Sequence, residues 1–231
     1  MKVFGNGFLA TLIKENIINH KYHFYARGIS NSIDLTDNQI DRDLRELNQF
    51  LEFQNNPFFY LSSSDNSQIN KLESKYFMHK ENCEKLVLES KYGKILRIPQ
   101  IVGNKKSKTA LLNYFSNKLL NNQKIIIHKG RLRYPILGST IIECLHQINN
   151  YFNPKFRIID IRPLYGIKTD EIISIMSNIF NIEPKLTVVD KYEFNPLWSR
   201  EVNYLNNSFS KLQSATYCKD VVQSYCRNYI K

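Results

Sequence analysis

Two hydrophobic rhythms alternate along the chain. A short apolar run at 1–4 leads into Leu9, Leu12, Ile13 and Ile17, which recur at helical spacing. Residues 23–26 are apolar enough for a strand, and Ile40, Leu44, Leu47 and Leu51 predict an amphipathic helix over 37–53. A buried strand at 57–61, a helix at 76–89 and a strand at 95–98 follow, with Leu86 and Val87 turned toward the sheet. Beyond a polar loop that opens at residue 104, Leu111, Leu112, Phe115, Leu119 and Leu120 mark another helix. Then come a strand at 125–128, a helix at 140–151 and a strand at 156–161 that returns to the sheet. A helix at 169–181 is expected to be capped by Thr169, and a short strand at 185–189 follows it. The aromatic C-terminal stretch, with Trp198, Tyr204, Phe209, Tyr217, Tyr225 and Tyr229, reads as helical and as partly covering the substrate side. Such alternation of strand and helix is the signature of an α/β protein.

Composition narrows this picture only a little. The 231 residues are enough for one compact domain with its own core. No window approaches the length of a membrane span, and the first thirty residues show no targeting segment, so a cytoplasmic location is expected. Cys83, Cys144, Cys218 and Cys226 lack metal-type spacing and read as unpaired thiols. The five histidines show no His/carboxylate metal pattern, and His79 reads as a surface residue. A formal charge of +11 suits anionic ligands such as nucleotides. The lysines are scattered, not gathered on one helix, so nucleic acid is not the expected partner.

Three motifs carry chemistry. Gly5-Asn6-Gly7-Phe8-Leu9-Ala10 is G-x-G-x-x-A between a strand and a helix. In a dinucleotide site the first glycine allows the tight turn, the second lets backbone approach a diphosphate, and the alanine lets helix and strand pack closely. The strand at 57–61 runs into Ser62-Ser63-Ser64. Tyr76 and Lys80 stand one helical turn apart, which places phenol and ammonium on one face. A nearby cation favours a phenolate, so the pair suits proton exchange with a carbonyl or alcohol.

In this order, and with 94–103 following, these residues resemble the extended short-chain dehydrogenase/reductases, in the nucleotide-sugar epimerase/dehydratase/reductase branch. The resemblance covers about residues 1–135. It implies a Rossmann-like doubly wound parallel sheet with a small C-terminal substrate lobe. Residues 1–103 would be the dinucleotide-binding part, and 104–231 a mixed α/β part completing the same domain. Tyr76 would be the proton donor or acceptor, Lys80 would bind the nicotinamide ribose, and Ser64, with Ser62 and Ser63 as nearby alternatives, would hydrogen-bond the reacting sugar oxygen. NAD or NADP would lie against Gly5, Asn6, Gly7, Phe8, Leu9, Ala26, Arg27, Gly28, Ser62, Tyr76, Lys80 and Pro99. Gln100 and Arg133 would meet the nucleotide sugar, and Arg97 would be structural. The helices at 37–53 and 76–89 form that branch's usual dimer surface, which suggests a homodimer.

The chain departs from the pattern. Only a few residues separate the opening helix from the strand at 23–26. If that strand corresponds to the fourth of the family, a whole strand-helix-strand section is lost, together with the acid that reads the adenosine ribose. A second alignment makes 22–26 the second strand, with Arg27 meeting a 2′-phosphate and NADP favoured. The first fits the later motifs better. Asp65-Asn66 supplies half of a dehydratase's acid pair, so keto-sugar reduction or epimerisation is favoured over dehydration, as a step in glycan precursor synthesis. The competing reading is a non-catalytic Rossmann-like module binding nucleotide or RNA.

Overall fold

The computed structural model describes residues 1–29, 35–64, 75–103, 110–151, 155–191, 202–205 and 209–230. Trp198 and the Asp65-Asn66 pair lie outside them. The chain forms two compact units, the first comprising Met1–Ile98, Ser139–Ile161 and Pro196–Leu205, the second Pro99–Gly138, Arg162–Asn195 and Asn206–Lys231.

Elements are numbered along the whole chain. The first unit holds β1 (Val3–Phe4), α1 (Phe8–Asn16), β2 (His23–Tyr25), α2 (Asp37–Phe53), β3 (Phe58–Ser63), α3 (Lys75–Glu89) and β4 (Gly93–Ile98). To these it adds α5 (Gly138–Tyr151, entering the unit at Ser139), β9 (Ile158–Asp160) and β12 (Val202–Tyr204). Its sheet is parallel throughout, in the order β1-β2-β3-β4-β9-β12.

Side chains alternate across this sheet, as the pleat requires. Tyr25, Phe58, Tyr60 and Ile95 form one buried cluster with Leu47 of α2 and Cys83 and Val87 of α3. Phe24 and Phe59 lie on the other face, where His20 packs edge-on to Phe24 at 4.8 Å and its Nε2 donates to the Leu145 carbonyl of α5. Helices therefore cover both faces, the arrangement of a doubly wound sheet. Burial, only partly offset by these hydrogen bonds, lowers the His20 pKa to about 4, so His20 is a neutral core residue. α2 starts where its sequence says it should: Thr36 and Gln39 form a reciprocal capping box.

Two expectations fail in this unit. Tyr204 lies in a strand, not a helix, because 202–204 pair with β9 and extend the parallel sheet. The alignment of 22–26 with the family's second strand also fails. That strand lies on the far side of β1 from the serine strand, whereas β2 sits between β1 and β3. The sheet advances in one direction from β1, the topology left when a strand-helix-strand section is removed.

The second unit contains β5 (Ile101–Val102) paired with β8 (Ile136–Leu137), and β6 (Ile125–Lys129) paired with β11 (Leu186–Lys191). β7 (Leu132–Arg133) pairs with β10 (Ile167–Lys168), antiparallel. Helices α4 (Leu111–Leu120), α6 (Thr169–Phe180), α7 (Ser210–Gln213) and α8 (Tyr217–Ile230) complete it. Thr169 is not the cap of α6: Lys168 holds that position, and both the Thr169 backbone N–H and its hydroxyl donate to the Arg131 carbonyl. Buried Tyr225 donates to Asn113 Oδ1 at 2.8 Å and lies 3.1 Å from the Ser116 hydroxyl. Burial pushes its pKa up to about 12.

Candidate functional site

The glycine turn follows directly from β1. Gly5 has φ +129°, a region closed to other residues, and a Cβ there would meet the Ala26 carbonyl oxygen at 2.5 Å. Ala26 in turn donates its N–H to the Phe4 carbonyl, which locks β1 against the end of β2. Gly7 is different. It is the N-cap of α1 in an extended conformation, and a Cβ there would meet nothing within 4 Å. Asn6 and Gly7 are exposed, Phe8 and Leu9 half-buried, and Ala10 buried against the sheet. The space beside Gly7 and the open N-terminus of α1 suit an anion. The sequence reading missed one cation here: Lys14 Nζ donates to the Gly5 carbonyl at 2.7 Å and sits 3.4 Å from Asn6 Oδ1.

The second cluster lies between α2, α3 and β3. Tyr76 is half-buried, and the Lys80 amine stands 5.8 Å from its ring centroid. Lys80 itself is 4% exposed and donates to the Tyr60 hydroxyl at 3.2 Å. Burial lowers its pKa, with Asp43, Cys83 and Glu84 partly restoring the charge. Burial, reinforced by Cys83 and Asp43, holds Tyr60 well above the ordinary tyrosine value. Gly28 covers the amine: a Cβ there would lie 3.3 Å from Lys80 Nζ and 3.7 Å from the Asp43 carboxylate. Arg27 is turned outward, ion-paired to Glu46 at 2.9 Å.

The serines are held by carboxylates that sequence reasoning did not find. Ser64, 1% exposed, donates to Asp160 Oδ1 at 2.7 Å, and Ser62 donates to Glu84 Oε1 at 2.6 Å. Glu84 also receives Arg97 at 3.0 and 2.6 Å. Ser62, Arg97 and Asp160 occupy matching register positions on β3, β4 and β9.

His79 is the clearest correction: it is 2% exposed, not a surface residue. It pairs with Asp43 at 2.7 Å, and Cys83 Sγ lies 3.7 Å from the same nitrogen. Burial opposes its charge, but its hydrogen bonds to Asp43 and with Cys83 prevail and raise its pKa to about 9. Asp43 is lowered: burial would raise it, and His79, Lys80 and the Ile29 N–H overcome that. The three ligand atoms lie within 4.8 Å of one another, a donor set that no sequence motif announces. A tetrahedral metal holding bonds of about 2 Å keeps its ligand atoms more than 3 Å apart. At 2.7 Å the His79–Asp43 contact is a hydrogen-bonded ion pair.

The remaining candidates belong to the second unit. Gln100 uses its side-chain oxygen to accept from the Tyr134 N–H at 2.9 Å, Pro99 precedes it, and Arg133 lies in β7 opposite Ile167.

No protein-family model matches the sequence, and no curated protein does either. Solved structures match throughout. MoeE5 in complex with UDP-glucose and NAD has a TM-score of 0.68 at 13% identity, over 100% of this chain and 99% of that one. RMD from Pseudomonas aeruginosa, complexed with NADPH, gives 0.66 at 11% identity, over 99% of each chain. UDP-N-acetylglucosamine 4-epimerase from Bacillus cereus gives 0.61 at 14%, over 98% of each. The fold is theirs. This chain is built as NAD-dependent nucleotide-sugar epimerases and dehydratases are built.

A dinucleotide fits one part of this unit and not another. Gly5 and Gly7 form a tight, open turn of the kind that would suit a phosphate, and Lys14 stands beside it with a positive charge. On the outer edge of β1, where an adenosine ribose would be read, no strand stands among the described residues.

Proposed function

We propose that the protein is an NAD(P)-dependent enzyme of the short-chain dehydrogenase/reductase type acting on a nucleotide-activated sugar, with keto-sugar reduction favoured over epimerisation. The observation that carries this reading is the Tyr76/Lys80 pair on one face of α3, in a fold that otherwise houses nucleotide-sugar enzymes. Gly5, Asn6, Gly7, Phe8 and Leu9 seat the cofactor phosphate, and Ala26, Gly28 and Ser62 belong to the same cofactor site. Bound NAD(P) supplies the hydride chemistry. Tyr76 exchanges a proton with the sugar oxygen, and the Lys80 ammonium steadies the phenolate that remains. Ser64, held by Asp160, is the residue that hydrogen-bonds the reacting sugar oxygen. Gln100 and Arg133 serve the nucleotide part of the substrate. Cytoplasmic glycan precursor synthesis and a homodimer through α2 and α3 go with this reading. Among the described residues no helix is long and apolar enough to cross a membrane.

The test is turnover with UDP-, GDP- and dTDP-sugars followed at the nicotinamide absorbance. Tyr76→Phe is expected to lower it by about 100-fold or more while leaving cofactor affinity unchanged. Equal turnover by the variant would end the assignment.

A second reading, a non-catalytic nucleotide-binding or RNA-binding module, draws on the edge position of β1 among the described residues and the deep burial of Lys80. Retention on RNA at moderate salt, with no nicotinamide nucleotide bound, would decide for it.

A further inference from the structure

The path of the chain between β1 and β2 bears on what kind of nicotinamide nucleotide this site takes. α1 ends at Asn16 and β2 begins at His23. The residues between them, 17–22, are all described and all committed. Ile17 closes α1 through its N–H to the Ile13 carbonyl, and His20 is buried under Leu145. The Lys21 N–H donates to Asn149 Oδ1, and Tyr22 packs on Phe59 at 4.7 Å. The connector passes straight from α1 into the strand beside β1. A strand-helix-strand excursion takes about 30 residues or more. There is no place for one here.

In a doubly wound sheet a dinucleotide lies across the crevice where strand order reverses. One half is held on each side of the first strand, and an acid on the outer side takes the adenosine ribose. Among the described residues β1 is the edge of the sheet, with β2 as its one strand partner. The guanidinium nearest in sequence to the turn, Arg27, is paired with Glu46. The glycine turn and the Tyr76/Lys80 face are present, while no strand forms an adenosine wall among the described residues.

We propose that this site recognises only the nicotinamide-ribose-phosphate half of its cofactor and leaves adenosine in solvent, so that it distinguishes neither NADH from NADPH nor either of them from reduced nicotinamide mononucleotide. The inference rests on the function proposed above, since it presumes a nicotinamide ligand on the glycine turn.

Equilibrium dialysis of the full chain against NADH, NADPH, reduced nicotinamide mononucleotide and AMP tests it without any sugar substrate. The three reduced nucleotides are expected to bind within about fivefold of one another, and AMP not to compete. If NADH binds more than about fivefold tighter than the mononucleotide, the AMP half is recognised, through its phosphate or its adenosine, and the inference falls, while the proposed function stands. A similar preference for NADPH, or competition by AMP, overturns it in the same way. If none of the three binds, the functional reading falls and takes the inference with it. Gly7→Val places the ligand: its side chain enters open space in the protein and is expected to weaken all three nucleotides in parallel by about tenfold or more. Unchanged affinities would put the binding elsewhere and overturn the proposal.

Discussion

The glycine turn and the α3 cluster belong to the same unit and to the same proposed site, yet they are built on opposite principles. At the turn the backbone does the work: Gly5 is demanded by its φ and by the Ala26 carbonyl, and Gly7 faces open space. Around α3 the side chains do it. Lys80, His79, Asp43 and Glu84 are all buried, and each is held by partners from other elements. The first region can receive a ligand without breaking anything, whereas the second has spent its hydrogen bonds on itself. Substitutions should therefore cost stability in the α3 cluster and affinity at Gly7, with Gly5 the exception.

The largest effect is expected at Asp43. Asp43→Ala strands a charged His79 and removes the carboxylate that supports the Lys80 ammonium. Breaking a buried pair from one side costs about 3–5 kcal/mol. Urea unfolding should show a loss of that size. A loss under about 1 kcal/mol would mean that the cluster is wet and the ion pair a surface one. Gly5→Ala comes next. The new Cβ must occupy a disfavoured φ and meet backbone oxygen at 2.5 Å, so about 3 kcal/mol is expected. An unchanged midpoint would show that β1 and Ala26 separate easily.

The same contrast explains what could be read from residues alone. Strand-helix order and the glycine turn depend on neighbours in sequence, so periodicity and spacing exposed them. The one-directional sheet followed from the short gap before residue 23. The carboxylates of the α3 region were hidden because their partners are remote: Ser64 and Asp160 are 96 positions apart, and His79 and Asp43 are 36 apart. His79 was misread for a geometric reason. One step along a helix turns about 100°, which seemed to carry it away from the Lys80 face. α3 is covered by β3 and β4 on one side and by α2 on another, so both positions are buried. Asp43 had left a trace: it falls on the apolar stripe of α2 between Ile40 and Leu47, where a charge needs a partner.

A pH titration sharpens the comparison by acting on one region only. His79 has its pKa raised from 6.5 to about 9 in the folded protein, so the folded state keeps a proton that the unfolded chain gives up. That contribution is complete below about pH 6.5 and is lost as pH rises through about 9. The lowered Asp43 works at the other end: its contribution is present above about pH 3.8 and lost as pH falls further. The pair should therefore be most stabilising between these limits. Stability should drop by about 2–3 kcal/mol from pH 6.5 to 9.5, and His79→Gln should flatten the slope. A slope that persists in the variant would assign the titration to another group.

The smallest stability effect, and the one that separates the two regions most sharply, is expected at Gly7. Its φ of −75° and ψ of 174° are open to any residue, and no atom lies within 4 Å of the Cβ position. Gly7→Ala should therefore move the unfolding free energy by less than about 0.5 kcal/mol, in either direction. A small gain is physically reasonable, since alanine restricts the unfolded chain more than glycine does. If the turn is a ligand cradle, the same methyl group occupies the space a diphosphate would approach, so nucleotide affinity should fall while stability holds. Near-neutral stability with unchanged affinity would leave Gly7 as an ordinary N-cap. A loss comparable to that of Gly5→Ala would show that the two glycines serve one structural purpose, and the distinction between an open region and a closed one would then fail at its simplest point.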